Sequence, residues 1–313
     1  MTHLDGRVAI VTGAGRGIGR GEALALAAQG AKVIVNDLGG AWDGQGTDKR
    51  PATAVVQEIV ERGGVAAANF DDVTDPDGAE HLVGQALDAF GRLDILVNNA
   101  GILRDGMVFS IDPKDWSEVI NMHLMGHFLP TRAASQYWRA ESKAGRVSHR
   151  AIINTTSESG LFGNAGQSNY DAAKMGIVAF TVAVARETAK YGVTANAIAP
   201  RARTRLTTTT FENSGRASEF ATQASTFDAM DPENIAPFVT FLATDMAADV
   251  TAQTFIVCGG AVAHVKLPQV SDIVFKQGKW TVDELADRRD ELFKNLGPDA
   301  YEGPRGYARL PKQ

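Results

Sequence analysis

The chain of 313 residues holds a single cysteine, Cys258. An internal disulfide and a cysteine-built metal cluster are thereby excluded, which fits a reducing compartment and makes the cytoplasm the expected one. Long apolar runs are also missing. The longest, 176–185, is about ten residues, against the roughly 18 needed to span a bilayer. Nor is there an excess of positive charge: 31 lysines and arginines stand against 37 acids, for a net charge of −6. Such a balance offers no electrostatic footprint for phosphate backbones or anionic lipid, so neither nucleic acid nor membrane is an expected partner. Residues 1–7 are polar and run straight into the apolar 8–11, leaving no room for the charged and apolar regions of a signal peptide. The last residues, Pro311-Lys312-Gln313, do not form a peroxisomal Ser-Lys-Leu address. With 44% hydrophobic and 22% charged residues, the chain can bury a core without metal or disulfide staples.

Short β-branched runs alternate with longer segments of helical period, the pattern of a doubly wound parallel sheet with helices on both faces. The periodicity predicts seven strands, at 8–11, 33–35, 65–70, 95–97, 151–154, 194–198 and 254–257. It predicts helices at 18–29, 52–62, 77–90, 113–139, 167–190 and 232–244. These make one α/β domain over 1–263. Two stretches are irregular, the Gly-rich 39–46 and the Thr-, Ser- and Arg-rich 201–227. The second exceeds the usual loop of about 4–6 residues and has the composition of a substrate lid. Beyond 263 the alternation stops. Residues 264–313 are expected to form an extension packed on the main domain, with one helix introduced by Thr281 and Glu284 as a capping box.

Thr12-Gly13-Ala14-Gly15-Arg16-Gly17-Ile18-Gly19 falls between the first strand and the first helix. Glycines there permit a sharp turn and close backbone approach, while the helix N-terminus offers unpaired N–H groups to a pyrophosphate. Spacing alone is weak in a chain with 32 glycines. Asp37, at the end of the next strand, strengthens it, because a carboxylate about twenty residues on can accept from the adenosine ribose 2′-hydroxyl. A solvated strand-end acid is its ordinary alternative. A carboxylate in that place repels a 2′-phosphate, so NAD is favoured over NADP, although Arg16 in the glycine loop is itself a plausible phosphate partner.

Tyr170 and Lys174 stand four apart on one helix face. An ammonium near a phenol favours phenolate and lowers a pKa that starts at about 10, making Tyr170 a usable base or acid. Ser157, just past the fifth strand, can hold a substrate oxygen from the other side. A solvated helix face and a loop hydroxyl are the bland readings of these residues. Only their company lifts them.

Taken in order, the glycine loop, Asp72-Val73, Asn98-Asn99-Ala100-Gly101, Ser157 and Tyr170-x-x-x-Lys174 resemble the short-chain dehydrogenase/reductase family over residues 5–263. The resemblance implies a Rossmann-type sheet and a homodimer or homotetramer paired through two long helices. It also implies Gly13, Arg16, Gly17, Ile18 and Gly19 against the cofactor, Asp72 and Val73 beside the adenine, and Asn99, Ala100 and Gly101 along the dinucleotide. Tyr170 and Lys174 would meet the nicotinamide end, with Lys174 on its ribose. A narrower likeness lies in Val35-Asn36-Asp37-Leu38-Gly39-Gly40, in Asn98 through Asp105, and in Gly163-Asn164-x-Gly166-Gln167-x-Asn169-Tyr170. These are similar to the (3R)-hydroxyacyl-CoA dehydrogenase unit of peroxisomal multifunctional enzyme type two, also described as a 17β-hydroxysteroid dehydrogenase. The implied reaction is oxidation of a secondary alcohol on an acyl-CoA, with a bulky or steroid acyl group among the options. The alternatives are a hydroxysteroid dehydrogenase on free steroids, a 3-oxoacyl reductase using NADPH, and a non-catalytic dinucleotide sensor.

Two positions depart from the family pattern. His123, in His123-Leu124-Met125-Gly126, stands where an asparagine is usual, and Asn121 is no obvious substitute. Pro200-Arg201 replaces a Pro-Gly, with Arg203 and Arg205 close behind as candidate CoA-phosphate contacts or a solvated basic loop.

Overall fold

The computed structural model describes residues 2–40, 46–204, 227–266, 268–270 and 272–294. The chain divides into two compact units, Met1–Val265 and Lys266–Gln313.

In the first unit the strands β1 (Val8–Thr12), β2 (Lys32–Asn36), β3 (Val65–Asn69), β4 (Ile95–Asn98), β5 (Arg150–Thr155), β6 (Val193–Arg201), β7 (Thr254–Cys258) and β8 (Ala261–Val265) form one sheet. Their order is β3-β2-β1-β4-β5-β6-β7-β8. Pairing is parallel through β7, and β8 is antiparallel to it. The sheet therefore has eight strands where periodicity predicts seven. Gly259-Gly260 is the two-residue turn that brings β8 back, with Gly259 at φ 52° and Cys258 opposite Ala261. β8 is a half-exposed edge strand of small residues, too weakly apolar to register as a core strand, but the Gly-Gly pair was a readable hairpin signal.

Nine helices are named in chain order: α1 (Gly17–Ala28), α2 (Arg50–Glu61), α3 (Pro76–Phe90), α4 (Pro113–Ile120), α5 (Gly126–Lys143), α6 (Glu158–Phe162), α7 (Ser168–Thr188) and α8 (Ala236–Leu242) in the first unit, and α9 (Val282–Asp287) in the second. The two-residue side-chain period of each strand splits the core in two. Ala9, Val11, Val33, Val35, Ile95, Val97 and Ile153 pack with Leu26, Ile59 and Val239 of α1, α2 and α8. Val8, Ile10, Ile34, Leu96 and Ile152 pack with Leu82, Trp138 and Val184 of α3, α5 and α7.

The single helix predicted over 113–139 is broken into α4, a π-helical turn Asn121–Met125, and α5. A wide turn shifts the phase of the helix, which a constant 3.6-residue period cannot register. The helix predicted over 232–244 likewise begins as a 3₁₀ turn, Pro232–Ile235, before α8. α6 was not predicted, being a single turn capped by Ser157.

The second unit carries α9 and a further short helix, α10 (Arg289–Leu292). The expected capping box is present: Thr281 Oγ1 accepts from Glu284 N at 3.2 Å, and Thr281 N donates to Glu284 Oε2 at 2.8 Å.

Candidate active site

The strand order reverses direction between β1 and β4, so connections from their C-terminal ends leave on opposite sides and open a crevice, the usual ligand position in such sheets. The glycine loop, Asp37, Asn99 and Ser157 all follow the C-terminal ends of parallel strands and so share that rim.

Several glycines of the loop are required by close packing. A Cβ on Gly13 would come within 2.8 Å of Ala100 Cα, and one on Gly19 within 2.5 Å of both Asn99 Nδ2 and the Gly13 carbonyl. Gly17 has φ 57°, a conformation that favours glycine, and a Cβ there would sit in ordinary contact with Thr204 at 3.7 Å. No side chain caps α1 and no acid occupies its first turn. Its free N–H groups and dipole thus fit a pyrophosphate.

Asp37 faces this loop. Its Oδ2 accepts from Gly15 N at 2.8 Å and its Oδ1 from Gly39 N at 2.7 Å. Across the crevice Thr12 Oγ1 accepts from the backbone N–H of Asn99 and of Ala100, at 3.0 and 3.1 Å, while Asn99 Nδ2 donates to the Thr12 and Gly13 carbonyls. Thr12 therefore clamps β1 to β4. Sequence reasoning gave it no role, because its partners lie almost ninety residues away. Asp72 accepts from Thr74 N and Oγ1 at 2.8 and 2.7 Å, and Val73 is buried in the second core, so its side chain serves packing.

At the other end, Ser157, Tyr170 and Lys174 come together. The Ser157 hydroxyl shares a hydrogen bond of 2.9 Å with Ser159 Oγ and stands near enough to the Tyr170 phenol to act on its pKa. Lys174 Nζ lies 5.4 Å from the Tyr170 ring centre and donates to the Thr155 carbonyl at 2.7 Å. Thr156 Oγ1 donates to the Lys174 carbonyl at 2.6 Å, fixing the backbone beneath it.

Lys174 is buried and Tyr170 half-buried, and desolvation decides the state of both. It pushes the phenol up to about 12, with Asp171 and Asp105 adding to the rise and the Ser157 hydroxyl opposing it. It pushes the Lys174 ammonium down to about 7. The predicted lowering of the phenol by Lys174 is thus reversed in the chain by itself: each group pays to desolvate its charged form, and the weakened ammonium does not make up the difference.

His123 is buried on the π-helical turn, its ring edge-on to Tyr170 at 5.1 Å between centres. Its Nε2 lies 2.8 Å from the Ile102 carbonyl, which can only accept, so Nε2 carries the proton. Burial and the charge of Lys174 hold the ring well below its ordinary pKa, hence neutral. Nδ1 is buried without a partner. A Cβ on Gly101 would lie 2.4 Å from His123 Cε1, so the glycine makes room for the imidazole. The contacts from Gly13 through Ala100 and Gly101 to His123 and Tyr170 run unbroken along the crevice. Asn121 is exposed, as its position two residues from His123 predicts.

The arginines expected near CoA phosphates are engaged elsewhere. Arg201 forms a two-armed pair with Glu158 at 2.8 and 3.0 Å, and Arg203 pairs with Asp228. Arg205 and most of the expected lid, 205–226, lie outside the described residues.

Residues 7–215 match the family described as short chain dehydrogenase. The chain belongs to that family. It is accordingly an oxidoreductase that works with a nicotinamide dinucleotide, and the glycine cradle fits such a cofactor. Among curated relatives it is 42% identical over 306 residues to hydroxyacyl-CoA dehydrogenase ChsB1 of Mycobacterium tuberculosis, covering 95% of this chain and 92% of that one. It is 38% identical over 309 residues to the peroxisomal hydratase-dehydrogenase-epimerase of Neurospora crassa, covering 98% of this chain but 32% of that protein. A 3-oxoacyl-[acyl-carrier-protein] reductase of Synechocystis is 44% identical over 263 residues, with 84% and 99% covered. A crystal structure of a short chain dehydrogenase from Mycobacterium avium superposes with a TM-score of 0.81 at 42% identity, over 93% of this chain and 96% of that one. The likeness to hydroxyacyl-CoA dehydrogenases expected from the motifs is therefore found. Among the described residues no helix is long and apolar enough to cross a membrane.

Proposed function

We propose that this chain oxidises the secondary alcohol of a (3R)-3-hydroxyacyl-CoA to the 3-oxoacyl-CoA, with NAD⁺ as the oxidant. The reading is carried by the meeting of Ser157, Tyr170 and Lys174 at one end of a crevice whose other end is the glycine cradle and Asp37. The relative named hydroxyacyl-CoA dehydrogenase supports the substrate class.

Gly13, Gly17, Ile18 and Gly19 with Arg16 would hold the pyrophosphate. Asp37 would accept from the adenosine ribose, Asp72 and the Val73 backbone would stand by the adenine, and Asn99 to Gly101 would flank the chain of the dinucleotide. The bound cofactor supplies the hydride acceptor. Tyr170 would have to lose its own proton first, favoured once an oxidised cofactor brings positive charge beside it; as phenolate it would accept the proton of the substrate hydroxyl, with Ser157 holding the same oxygen while carbon becomes trigonal. Lys174, tied to Thr155, holds the nicotinamide ribose. Alignment of this kind is worth several kcal/mol when reacting atoms are held near contact.

Tyr170→Phe is expected to keep equilibrium binding of NADH while losing turnover by about a thousandfold or more. Turnover near wild type in stopped assays would overturn the assignment of the base. The reaction itself is tested by nicotinamide absorbance with NAD⁺ or NADP⁺ against (3R)-hydroxyacyl-CoA, free steroid alcohols and steroid-side-chain CoA thioesters. The second reading, an NADPH-dependent 3-oxoacyl reductase, is favoured by Arg16 in the loop and by the reductase relative, and it predicts NADP preference in the same panel.

Copies of the chain are proposed to pair through α5 and α7. Ala179 and Ala183 of α7 are exposed, and Phe180 packs edge-on against the half-exposed Phe128 at 6.4 Å. The run 176–185 is apolar around its whole circumference, yet Ala179 and Ala183 stay exposed in one copy, and a second copy would cover them.

A further inference from the structure

Beside Asp37 the surface opens into a cavity of about 420 Å³ whose lining includes Gly15, Arg16, Arg20, Asp48, Arg50 and Glu58. Gly15 joins the two places, since its N–H donates to Asp37. Three guanidiniums around one cavity are what a phosphate dianion would seek. Every one of them already faces a carboxylate. Arg20 is held by Glu58 and by Glu233, both at 2.7 Å. Arg50 is forked onto Asp48 through Nε at 2.9 Å and Nη2 at 3.0 Å, and Arg16 Nη2 approaches the same carboxylate at 3.9 Å.

Asp48 is also fixed against the turn that carries Asp37. Gly39, at φ 83°, lies so close that a Cβ there would fall 2.0 Å from the Asp48 carbonyl oxygen. The two carboxylates are therefore presented by one packed unit at the edge of the cavity.

We infer that Asp48 is a second cofactor-specificity residue, an internal stand-in for a 2′-phosphate that keeps Arg16 and Arg50 from binding one. This rests on the reading of Asp37 as the ribose partner, and deepens it. It explains how an arginine in the glycine loop coexists with preference for a cofactor lacking that phosphate. Arg20, shared by two carboxylates, takes no part in the exchange. Arg50 is almost fully exposed and Arg16 well exposed, so each can swing to a new anion at little cost once Asp48 is neutral.

A plain structural role for Asp48 exists, because its Oδ1 also accepts from Arg50 N at 3.0 Å at the start of α2. Asp48→Asn keeps that acceptor and removes the charge, so it separates the two. The probes are 5′-AMP and adenosine 2′,5′-bisphosphate, which differ only in the phosphate and are titrated calorimetrically at low salt; kcat/KM for NADP⁺ over NAD⁺ is the parallel readout. Relative to Asp37→Ser alone, the pair Asp37→Ser with Asp48→Asn is expected to shift both ratios about tenfold towards the phosphorylated ligand. Adding Arg16→Gln and Arg50→Gln should cancel the shift. No shift on neutralising Asp48, with Asp48→Ser as a second variant, overturns the inference, and so does a shift that survives loss of both arginines. A wild-type chain that already binds the bisphosphate as tightly as 5′-AMP would overturn the reading of Asp37 itself, a different failure.

Discussion

Glu22 is the residue in α1 that least fits its surroundings. It is fully buried, neither carboxylate oxygen has a partner, and burial pushes its pKa up to about 8 from an ordinary 4.5. The folded chain must therefore hold a proton that the unfolded chain gives up between those values. Stability should fall as pH rises from about 4.5 to about 8, and the penalty should be absent at more acid pH. Glu22→Gln removes the titration, and is expected to raise stability by about 2 kcal/mol at pH 8 with the gain fading towards pH 4.5. Denaturant titrations of both proteins across that range would show it, and parallel curves would contradict it. Tyr170 and Lys174 show the same physics put to use. Desolvation moves both towards their neutral forms, the phenol up to about 12 and the ammonium down to about 7. Neither shift is legible from residue spacing, which reports neighbours along a helix but not the water around them.

At the scale of elements, buried amides tie the sheet to the helix that carries the site. Asn98 Nδ2 donates to Asn154 Oδ1 at 2.9 Å and to Thr131 Oγ1 at 3.0 Å, and Asn154 Nδ2 donates to Thr181 Oγ1 at 2.9 Å. β4, β5, α5 and α7 are thus joined by one polar network inside an apolar core. Asn154→Ala would leave Asn98 Nδ2 only its bond to Thr131, with one N–H unpaired in the core, and is expected to cost about 2 kcal/mol. Chemical unfolding measures that cost. A loss of a few tenths would mean that water or relaxation satisfies the amide. Strand and helix existence was legible because β-branched runs and helical periods are local. The π-helical turn was not, since one wide turn leaves composition unchanged. Yet this turn presents His123 to Tyr170.

For the whole molecule, every described buried hydrophobic lies between Leu4 and Val257, so the core belongs to the first unit. The exposed Ala179 and Ala183 of α7 lie where the proposed pairing of copies would form. Ala183→Glu is expected to shift the protein towards the monomer in sedimentation, because a carboxylate in an apolar contact between copies would have to be desolvated. An unchanged assembly would locate the contact elsewhere.

Glycines, Asp37, Ser157, Tyr170 and Lys174 announced themselves in the bare order of residues, since a dinucleotide cradle and a phenol-ammonium pair need particular side chains at particular intervals. Fold class followed for the same reason, from periods of two and of about 3.6. The closeness of Asp48 to Arg16, the clamp of Thr12 on Asn99 and Ala100, and the direction in which burial moves each pKa belong to the tertiary structure alone. They depend on groups brought together across the sheet and on the solvent removed in doing so, and neither quantity is written in any local stretch of chain.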